Sequence, residues 1–296
     1  MTATSDASTR GSLPRRLAAS LYRHPRAQLS ALLAVPLGWL VVAYLGSLAL
    51  LLVSAFWRLD SFSGNVVSEP TLQNFATLAQ NEVYRNVAMR TIVIAALVTL
   101  TDIVLAFPIA YYMARVASPR VRGLLVVSIL LPLWSGYLVK VYAWRLILNE
   151  SGVLNWALDP LGLRGPGYGD PAVWLVMSYL WLPFMILPIY AGLERIPHSL
   201  LEASGDLGAR SATTFRKIVL PLALPAVAAG SIFTFSLTLG DYITPTLVSG
   251  TQFIGNVVYS NISVNRPLAA AFAVVPIAIM IGYLLVARRL GAFEEL

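Results

Sequence analysis

The sequence predicts an all-α membrane protein with six membrane-spanning helices. Composition is the first indication, because 57% of the 296 residues are hydrophobic and only 12% are charged, whereas soluble domains carry roughly 25% charged residues. The second indication is a series of apolar runs that reach the roughly 20 residues with which a helix crosses the hydrocarbon core. The third is the uneven distribution of arginine and lysine along the chain.

Six apolar runs define the predicted spans. They cover residues 31–56, 91–113, 123–144, 171–193, 220–247 and 267–287. The polar, arginine-bearing stretch at 1–30 is predicted to be a cytoplasmic tail and not a signal peptide, because the run that follows it exceeds the roughly 7–15 residues of a signal-peptide core. The sequence therefore divides into a tail at 1–30 and a transmembrane domain at 31–296.

Basic residues are concentrated on one side of this topology. With both termini in the cytoplasm, the cytoplasmic segments hold 14 of the 21 basic residues: Arg10, Arg15, Arg16, Arg23, Arg26, Arg115, Arg120, Arg122, Arg195, Arg210, Arg216, Lys217, Arg288 and Arg289. This excess follows the positive-inside rule for membrane proteins. It accounts for the net charge of +7 without a nucleic-acid partner.

The sequence lacks the residue patterns of an enzyme or of a metal site. It contains no cysteine, which excludes a thiolate metal site and a cysteine nucleophile. Its only lysines, Lys140 and Lys217, follow Val139 and Arg216 and not glycine, which excludes a phosphate-binding loop for ATP. The chain is therefore predicted to bind no metal or cofactor, to have no catalytic residues, and to move a solute across a membrane.

The cytoplasmic loop at 194–221 carries a helix–glycine–helix pattern. Gly208 suits the left-handed residue at the end of a first helix, and a second helix is predicted to continue into span five. Four residues at helical spacing predict an apolar face on the first helix: Leu200, Leu201, Ala203 and Leu207. Glu202 and Asp206 are neighbours on that helix. They indicate either a solvated face or a docking surface for a partner with basic residues.

The loop resembles the EAA loop of ABC importer permeases. In that family the loop contains Glu-Ala-Ala, then a glycine after three further residues, then Ile-x-Leu-Pro after nine more. The corresponding residues here are Glu202, Ala203, Ser204, Gly208, Ile218, Leu220 and Pro221. Ser204 stands in place of the second alanine, one small residue for another. Both spacings agree, and the loop lies between spans four and five, on the predicted cytoplasmic side.

Four other stretches resemble the spermidine/putrescine-type permeases of this family. They are PLWSGYLVKVYAWRLILNESGVLN, YLWLPFMILPIYAGLERIP, LGDYITPTLVSG and RPLAAAFAVV, and the resemblance covers roughly residues 70–290. One departure is Lys140, where arginine is expected in that subfamily. The positive charge is kept there, but the bidentate geometry of arginine is lost.

The resemblance implies a type I ABC importer permease fold (MetI-like) in a bacterial inner membrane, surrounded by lipid. It also implies a second permease subunit, two ATPase subunits that hold ATP and Mg²⁺, and an extracytoplasmic substrate-binding protein. Glu202 would pair with a basic residue of the ATPase, Gly208 would make the turn, and Ala203 would allow close approach. The implied substrate is a polyamine, with an amino acid or opine, a sugar, or iron as alternatives.

Three charged residues at membrane depth are candidates for the translocation pathway, because such charges are costly and by default functional. Asp241 and Lys140 have similar predicted depth, so they either form a structural ion pair or leave Asp241 to attract a cationic substrate. Asp102 lies near the middle of span two, too deep for Lys140, and a pathway contact is favoured for it.

Aromatic side chains at similar depth could offer cation–π faces to a polyamine. The candidates include Trp134, Tyr137 and Tyr242, which equally suit an aromatic belt at the membrane interface. Two other classes of protein stay open. An ion-coupled carrier would need no ATPase and often shows internal repeats or broken helices. A membrane scaffold would not need charges at membrane depth.

Overall fold

The computed structural model describes residues 25–60 and 62–289 of the chain. They belong to two compact units that divide between Val53 and Ser54. Residues 1–24 of the predicted tail lie outside the described residues. Helix α1 begins at Pro25, within the segment predicted as tail.

The first unit is helical throughout its described part. It contains α1 (Pro25–Trp39), a π-helical segment (Leu40–Leu45) and α2 (Gly46–Ser54), which ends at the boundary with the second unit. Residues Leu32–Ser54 are long and apolar enough to cross a membrane. They correspond to the first predicted span.

The second unit begins with a short hairpin and continues as helices. The hairpin pairs β1 (Arg58–Leu59) with β2 (Val66–Val67) in antiparallel register. The helices are α3 (Gln73–Gln80), α4 (Glu82–Arg115), α5 (Pro119–Trp134), α6 (Tyr137–Leu148), α7 (Val153–Leu158), α8 (Asp170–Arg195), α9 (His198–Asp206), α10 (Ser211–Thr214), α11 (Leu220–Gly240), α12 (Ile243–Val248), α13 (Ile254–Asn261) and α14 (Arg266–Arg289). A 3₁₀ turn (Asp159–Leu161) follows α7, and a π-helical segment (Phe215–Val219) joins α10 to α11.

The all-α membrane fold predicted from the sequence is confirmed. Within the described residues, five helices are long and apolar enough to span a membrane, and a sixth span results if α5 and α6 are counted together. Helix α10, the π segment and α11 form one such span from Ser211 to Gly240. The second predicted helix of the cytoplasmic loop therefore does continue into span five.

Span three differs from its prediction as one helix over 123–144. It breaks between α5 and α6, which are bent by 93°. Pro132 has no N–H to donate within the last turn of α5, and the Ser135 hydroxyl donates to the Pro132 carbonyl at 2.8 Å. Ser135 is extended with ψ of 143°, and Gly136 has a ψ of 135°, also outside the helical range, so the helix cannot continue through them.

Span five also differs from its prediction as one helix over 220–247. Helix α11 ends at Gly240, and Asp241 is extended with φ of −73° and ψ of 123°. One carboxylate oxygen of Asp241 accepts from the N–H groups of Ile243 at 2.9 Å and Thr244 at 3.2 Å. These are the first N–H groups of α12, so a new helix starts where the prediction had the old one continuing.

Three helices, α4, α8 and α11, form the centre of the second unit. One buried cluster lies towards the outer ends of α4 and α8 and includes Val98, Val173 and Met177. A second lies towards their cytoplasmic ends and includes Ala110 and Ile189. Small residues at these contacts let helix backbones approach closely in a membrane.

Gly192 on α8 is such a small residue, because a Cβ added to it would collide with the Cβ of Ala226 on α11. Gly192→Ala should push the two helices apart and cost roughly 1–3 kcal/mol, the range for overpacking. The check is the apparent melting temperature of the purified protein. Gly282→Ala is the matched control, since nothing lies within 4 Å of the Cβ added there. Equal melting temperatures for the two variants would contradict the close α8–α11 contact.

Candidate functional site

The base of the cytoplasmic loop is fixed by Arg115, the last residue of α4. Its guanidinium donates to the carbonyls of Leu193 at 2.5 Å and Ile196 at 2.8 Å. The last carbonyls of a helix have no partner within it, so Arg115 satisfies those at the end of α8. The chain therefore leaves α8 in a direction that α4 sets.

Arg122 on α5 makes a second connection to the same place. It donates to the Met113 carbonyl at 3.0 Å and pairs with Glu194 at 3.4 Å. The hydroxyl of Tyr190 also donates to Glu194, at 3.2 Å. These contacts tie α5 to the ends of α4 and α8.

The predicted glycine turn is confirmed. Gly208 has a φ of +76°, the left-handed conformation that glycine adopts without strain. The N–H of Ala209 donates to the Ser204 carbonyl at 3.0 Å, and that of Gly208 donates to the Gly205 carbonyl at 2.8 Å. This pair of bonds is the Schellman ending of an α-helix. It fixes the angle between α9 and the segment that follows.

Contacts with the core and with α9 hold the second arm of the loop. The hydroxyls of Ser204 and Thr214 are hydrogen-bonded at 2.8 Å. The ring of Phe215 lies edge-on to the rings of Phe107 and Tyr111 on α4, with centroids 5.6 and 6.0 Å away. Both arms of the loop are therefore anchored to the α4–α8 core.

The predicted apolar face of α9 does not pack as a unit against the core. Only Leu201 packs against the core. Leu207 is 88% exposed, and Ala203 is exposed. The buried residue is instead Ser204, because its hydroxyl contacts the second arm. The helix therefore turns a mixed surface outwards, composed of Leu207 and Ala203 together with the exposed acids Glu202 and Asp206.

The motif residues divide between this outward surface and the interior. Glu202, Ala203 and Gly208 are exposed, whereas Ser204 is buried and Ile218 half-buried. Leu220 and Pro221 are exposed at the start of α11.

At the other end of the molecule, Asp241 links the two helix breaks. Its second carboxylate oxygen accepts from the Tyr137 hydroxyl at 2.5 Å and from the Thr244 hydroxyl at 2.7 Å. Tyr137 is the first residue of α6 and Asp241 lies between α11 and α12. The carboxylate therefore holds the broken span three against the broken span five.

The α13 helix supports this junction from the side. A Cβ on Gly255 would lie 3.1 Å from the Gly240 carbonyl oxygen, so only glycine fits there without displacement. The Asn256 side chain donates to the Tyr242 carbonyl at 2.9 Å. The ring of Tyr242 stacks on Tyr259 with centroids 4.6 Å apart.

An open cavity of about 400 Å³ lies beside Asp241. Its lining includes Tyr137, Trp181 and Tyr242, and the rings of Tyr137 and Trp181 stack with centroids 6.0 Å apart. An acid and several aromatic faces thus meet at one cavity. This arrangement can attract a cation.

Three predicted pathway residues lie elsewhere. The ion-pair alternative for Lys140 and Asp241 is wrong, because no salt bridge joins them among the described residues and hydroxyl and N–H donors occupy Asp241. Trp134 is 90% exposed and is not in the lining of the cavity. Asp102 is 0% exposed, so in this conformation it faces the interior of the bundle.

Sequence reasoning missed two parts of the site. Arg115 and Arg122 entered only as markers of topology, although arginine at a helix end can bind the last carbonyls of a neighbour. The spacing of Asp241 and Thr244 also carried a signal. An aspartate can accept from N–H groups two and three residues ahead and so begin a new helix.

The sequence of the chain is similar to those of known membrane transport proteins. Residues 103–293 match the family described as "Binding-protein-dependent transport system inner membrane component". The chain is 46% identical over 293 residues to the inner membrane ABC transporter permease protein YdcU of Escherichia coli K12, covering 93% of each chain. It is 30% identical over 250 residues to the spermidine/putrescine transport system permease protein PotB of Haemophilus influenzae, covering 81% of this chain and 86% of the relative.

Solved structures share the fold. A chain of a bacterial ABC transporter involved in the import of the acidic polysaccharide alginate superposes with a TM-score of 0.72 at 20% identity, covering 93% of this chain and 99% of that one. A chain of the MetNI methionine ABC transporter superposes with a TM-score of 0.56 at 16% identity, covering 70% of this chain and 94% of that one.

The glycine turn can be tested without knowledge of the solute. Gly208→Ala should cost roughly 1–2 kcal/mol, because a side chain is strained in the left-handed region. If opening of the loop limits cleavage, trypsin should cut after the exposed Arg210 about 5–30 times faster. Gly205→Ala is the control, since it lies within α9 and nothing lies within 4 Å of its added Cβ. Mass spectrometry of the digest gives the rates, and equal rates would contradict the predicted strain.

Proposed function

The chain belongs to the family of binding-protein-dependent transport system inner membrane components, and on that premise we propose that it forms half of the translocation pathway of an ATP-driven polyamine importer. As a member of the family it is a multi-pass ABC importer permease subunit of a bacterial inner membrane. In the proposal the other half of the pathway is a second permease subunit. Two ATPase subunits hold the ATP and Mg²⁺, and an extracytoplasmic binding protein delivers the substrate.

The observation that carries the coupling role is the outward surface of α9. Glu202 and Asp206 are exposed there beside Leu207. Ser204 bonds α9 to the second arm of the loop, and Arg115 binds the carbonyl of Ile196 just before α9 begins. A helix held by fixed contacts transmits a displacement caused by an ATPase to the spans, whereas a mobile loop would not. Phe215 packs against α4, and the π-helical segment that begins with it continues into α11. Movement of the loop would therefore reach both helices.

The cavity beside Asp241 supports a cationic substrate. Tyr137, Trp181 and Tyr242 supply aromatic faces, and Asp241 supplies negative charge. The carboxylate already accepts four hydrogen bonds. A primary ammonium would therefore bind by displacing the Tyr137 or Thr244 hydroxyl, which would also loosen the junction of the two broken spans. The similarity to the spermidine/putrescine permease PotB favours a polyamine over the other solutes.

Glu202→Arg tests the coupling role. The variant should remain in the membrane at normal abundance but should lose uptake, because an arginine would repel the basic residue proposed on the ATPase. Radiolabelled polyamine uptake by cells and ATPase copurification are the measurements. Glu150→Arg, which reverses an exposed acid in the loop between α6 and α7, is the control and should transport normally. Normal uptake by Glu202→Arg would overturn the coupling assignment.

Asp241→Asn tests the cationic substrate. The amide keeps the size of the side chain but removes the charge, so the KM for polyamine uptake should rise about tenfold or more, the equivalent of about 1.4 kcal/mol. Asp159→Asn, an exposed acid outside the cavity, should leave the KM unchanged. Native mass spectrometry of the cognate binding protein gives an independent answer. A sugar or an anion retained there would overturn the polyamine assignment and leave the permease assignment intact.

A further inference from the structure

A second open cavity (the inner cavity) lies between α8 and α11 at the cytoplasmic end of the second unit. Its volume is about 380 Å³. Its walls include Pro188, Ala191 and Arg195 of α8 and Leu222, Pro225 and Ala229 of α11. The cavity beside Asp241 (the outer cavity) is also lined by these two helices, through Trp181 of α8 and Ser236 of α11. The function proposed above gives the inner cavity no role.

The two cavities open on the same faces of α8 and α11. Trp181 of the outer cavity and Pro188 of the inner cavity are seven residues apart on α8. Ser236 and Ala229 are likewise seven residues apart on α11. Seven residues make almost two turns of an α-helix, so the members of each pair lie on one face. The cavities are therefore two parts of one groove and lie about 10 Å apart along it.

Close contacts between α8 and α11 form the floor of this groove. A Cβ added to Gly192 of α8 would collide with Ala226 of α11, and both residues line the inner cavity. A Cβ added to Gly230 of α11 would collide with Met185 of α8, at a level between the two cavities. The groove therefore follows one continuous helix–helix contact from its inner to its outer part.

Two phenylalanines lie between the cavities. Phe184 is between Trp181 and Pro188 on α8, and its ring lies 6.1 Å from the Trp181 ring by their centroids. Phe233 on α11 is 54% exposed. Each phenylalanine is three or four residues from a lining residue on either side, which is the spacing of one helix face. Neither belongs to the lining of either cavity, so the groove is interrupted at their level.

The two ends of the groove carry opposite charges. Asp241 is the charged residue of the outer cavity, and Arg195 is that of the inner cavity. No acid pairs with the exposed Arg195 among the described residues. The neighbouring Glu194 pairs instead with Arg122 of α5. The positive charge of Arg195 therefore acts on any solute that enters the inner cavity.

Two prolines make the wall of the inner cavity more polar. Pro188 and Pro225 have no N–H, so the carbonyls of Phe184 and Pro221, four residues earlier, lose their usual helical donors. Both prolines line the cavity. Such carbonyls are tolerated at membrane depth where they line a water-filled cavity. This wall therefore suits water and a polar solute better than a lipid chain.

We propose that the inner cavity is the cytoplasmic exit of the translocation pathway, that Phe184 and Phe233 close it from the outer cavity, and that Arg195 makes it repel cations. A cationic solute is then attracted at Asp241 and released at Arg195, whose charge opposes its return. The second permease subunit would cover the open side of the groove. This inference rests on the proposed pathway, but the position of the exit does not depend on the solute being a polyamine.

The absence of cysteine from the chain permits a direct test with single-cysteine variants. Ala229→Cys places a thiol in the inner cavity. Ala228→Cys is the matched control, because Ala228 is equally half-buried but lines a cavity between α11 and α14. Inside-out membrane vesicles that contain the protein with its partner subunits are treated with charged methanethiosulfonates, and mass spectrometry gives the rates. Ala229→Cys should react many times faster than Ala228→Cys.

The charge of the reagent tests Arg195. An anionic sulfonate reagent should modify Ala229→Cys about three to ten times faster than a cationic trimethylammonium reagent, because a nearby unit charge acts on the two with opposite sign. Both rates are taken relative to those with a free thiol in solution. Arg195→Gln should remove this preference, and Arg195→Lys, which keeps the charge, should retain it.

Access to the outer cavity tests the two phenylalanines. Ser236→Cys places a thiol in that cavity and should react slowly with reagent added from the cytoplasmic side. Phe233→Ala in the same chain should raise this rate several-fold, because it removes one of the two rings that close the groove. Phe233→Leu, which keeps most of the volume, should raise it less.

Three results would contradict the proposal. Equal rates for Ala229→Cys and Ala228→Cys would overturn the exit, and an unchanged reagent preference in Arg195→Gln would overturn the role of Arg195. An unchanged rate at Ser236→Cys in the presence of Phe233→Ala would overturn the closure. These rates do not depend on the natural solute, so a sugar retained by the binding protein would overturn the polyamine assignment and leave the exit in place.

Discussion

The position of the coupling loop depends on one interaction, the pair of hydrogen bonds from Arg115 to the carbonyls of Leu193 and Ile196. These bonds join the end of α4 to the end of α8 and oppose the sliding of one helix along the other. The loop leaves α8 beside Ile196 and returns past Phe215, which rests on α4. Both arms of the loop therefore contact helices that are joined to each other at their cytoplasmic ends.

A second constraint acts at the opposite end of the same helices. Asp241 holds the break in span three against the break in span five through Tyr137 and Thr244. Broken helices in a membrane expose backbone groups that need partners. The Asp241 carboxylate accepts from two such groups, the N–H groups of Ile243 and Thr244. The two ends of α11 are thus fixed by different chemistry. The cytoplasmic end is held by ring packing and a hydroxyl pair, and the outer end by a charged hydrogen-bond network.

The sequence predicted the spans and the glycine turn because both depend on local properties. Hydrophobic length identifies a span, and Gly208 is predictable because a helix ending needs a left-handed residue. The breaks at Gly136 and Asp241 escaped prediction because the apolar runs continue through them. Periodicity grouped Leu207 with Leu201 on one apolar face, but it does not tell which residues of that face meet the core. The roles of Arg115 and Arg122 depend on contacts between distant parts of the chain, for which a single sequence has no periodic signal.

The π-helical segment Phe215–Val219 determines where the coupling loop points. A π turn contains one residue more than an α turn, so residues before it are rotated by about 100° relative to those after it. This rotation lets Thr214 face Ser204 and Phe215 face α4 while α11 keeps Ala223 against α8. The direction of the outward surface therefore depends on the π-helical hydrogen bonds of this segment. If the same residues formed an α-helix, that surface would be rotated by about 100° around the axis of α11, even with every contact residue retained.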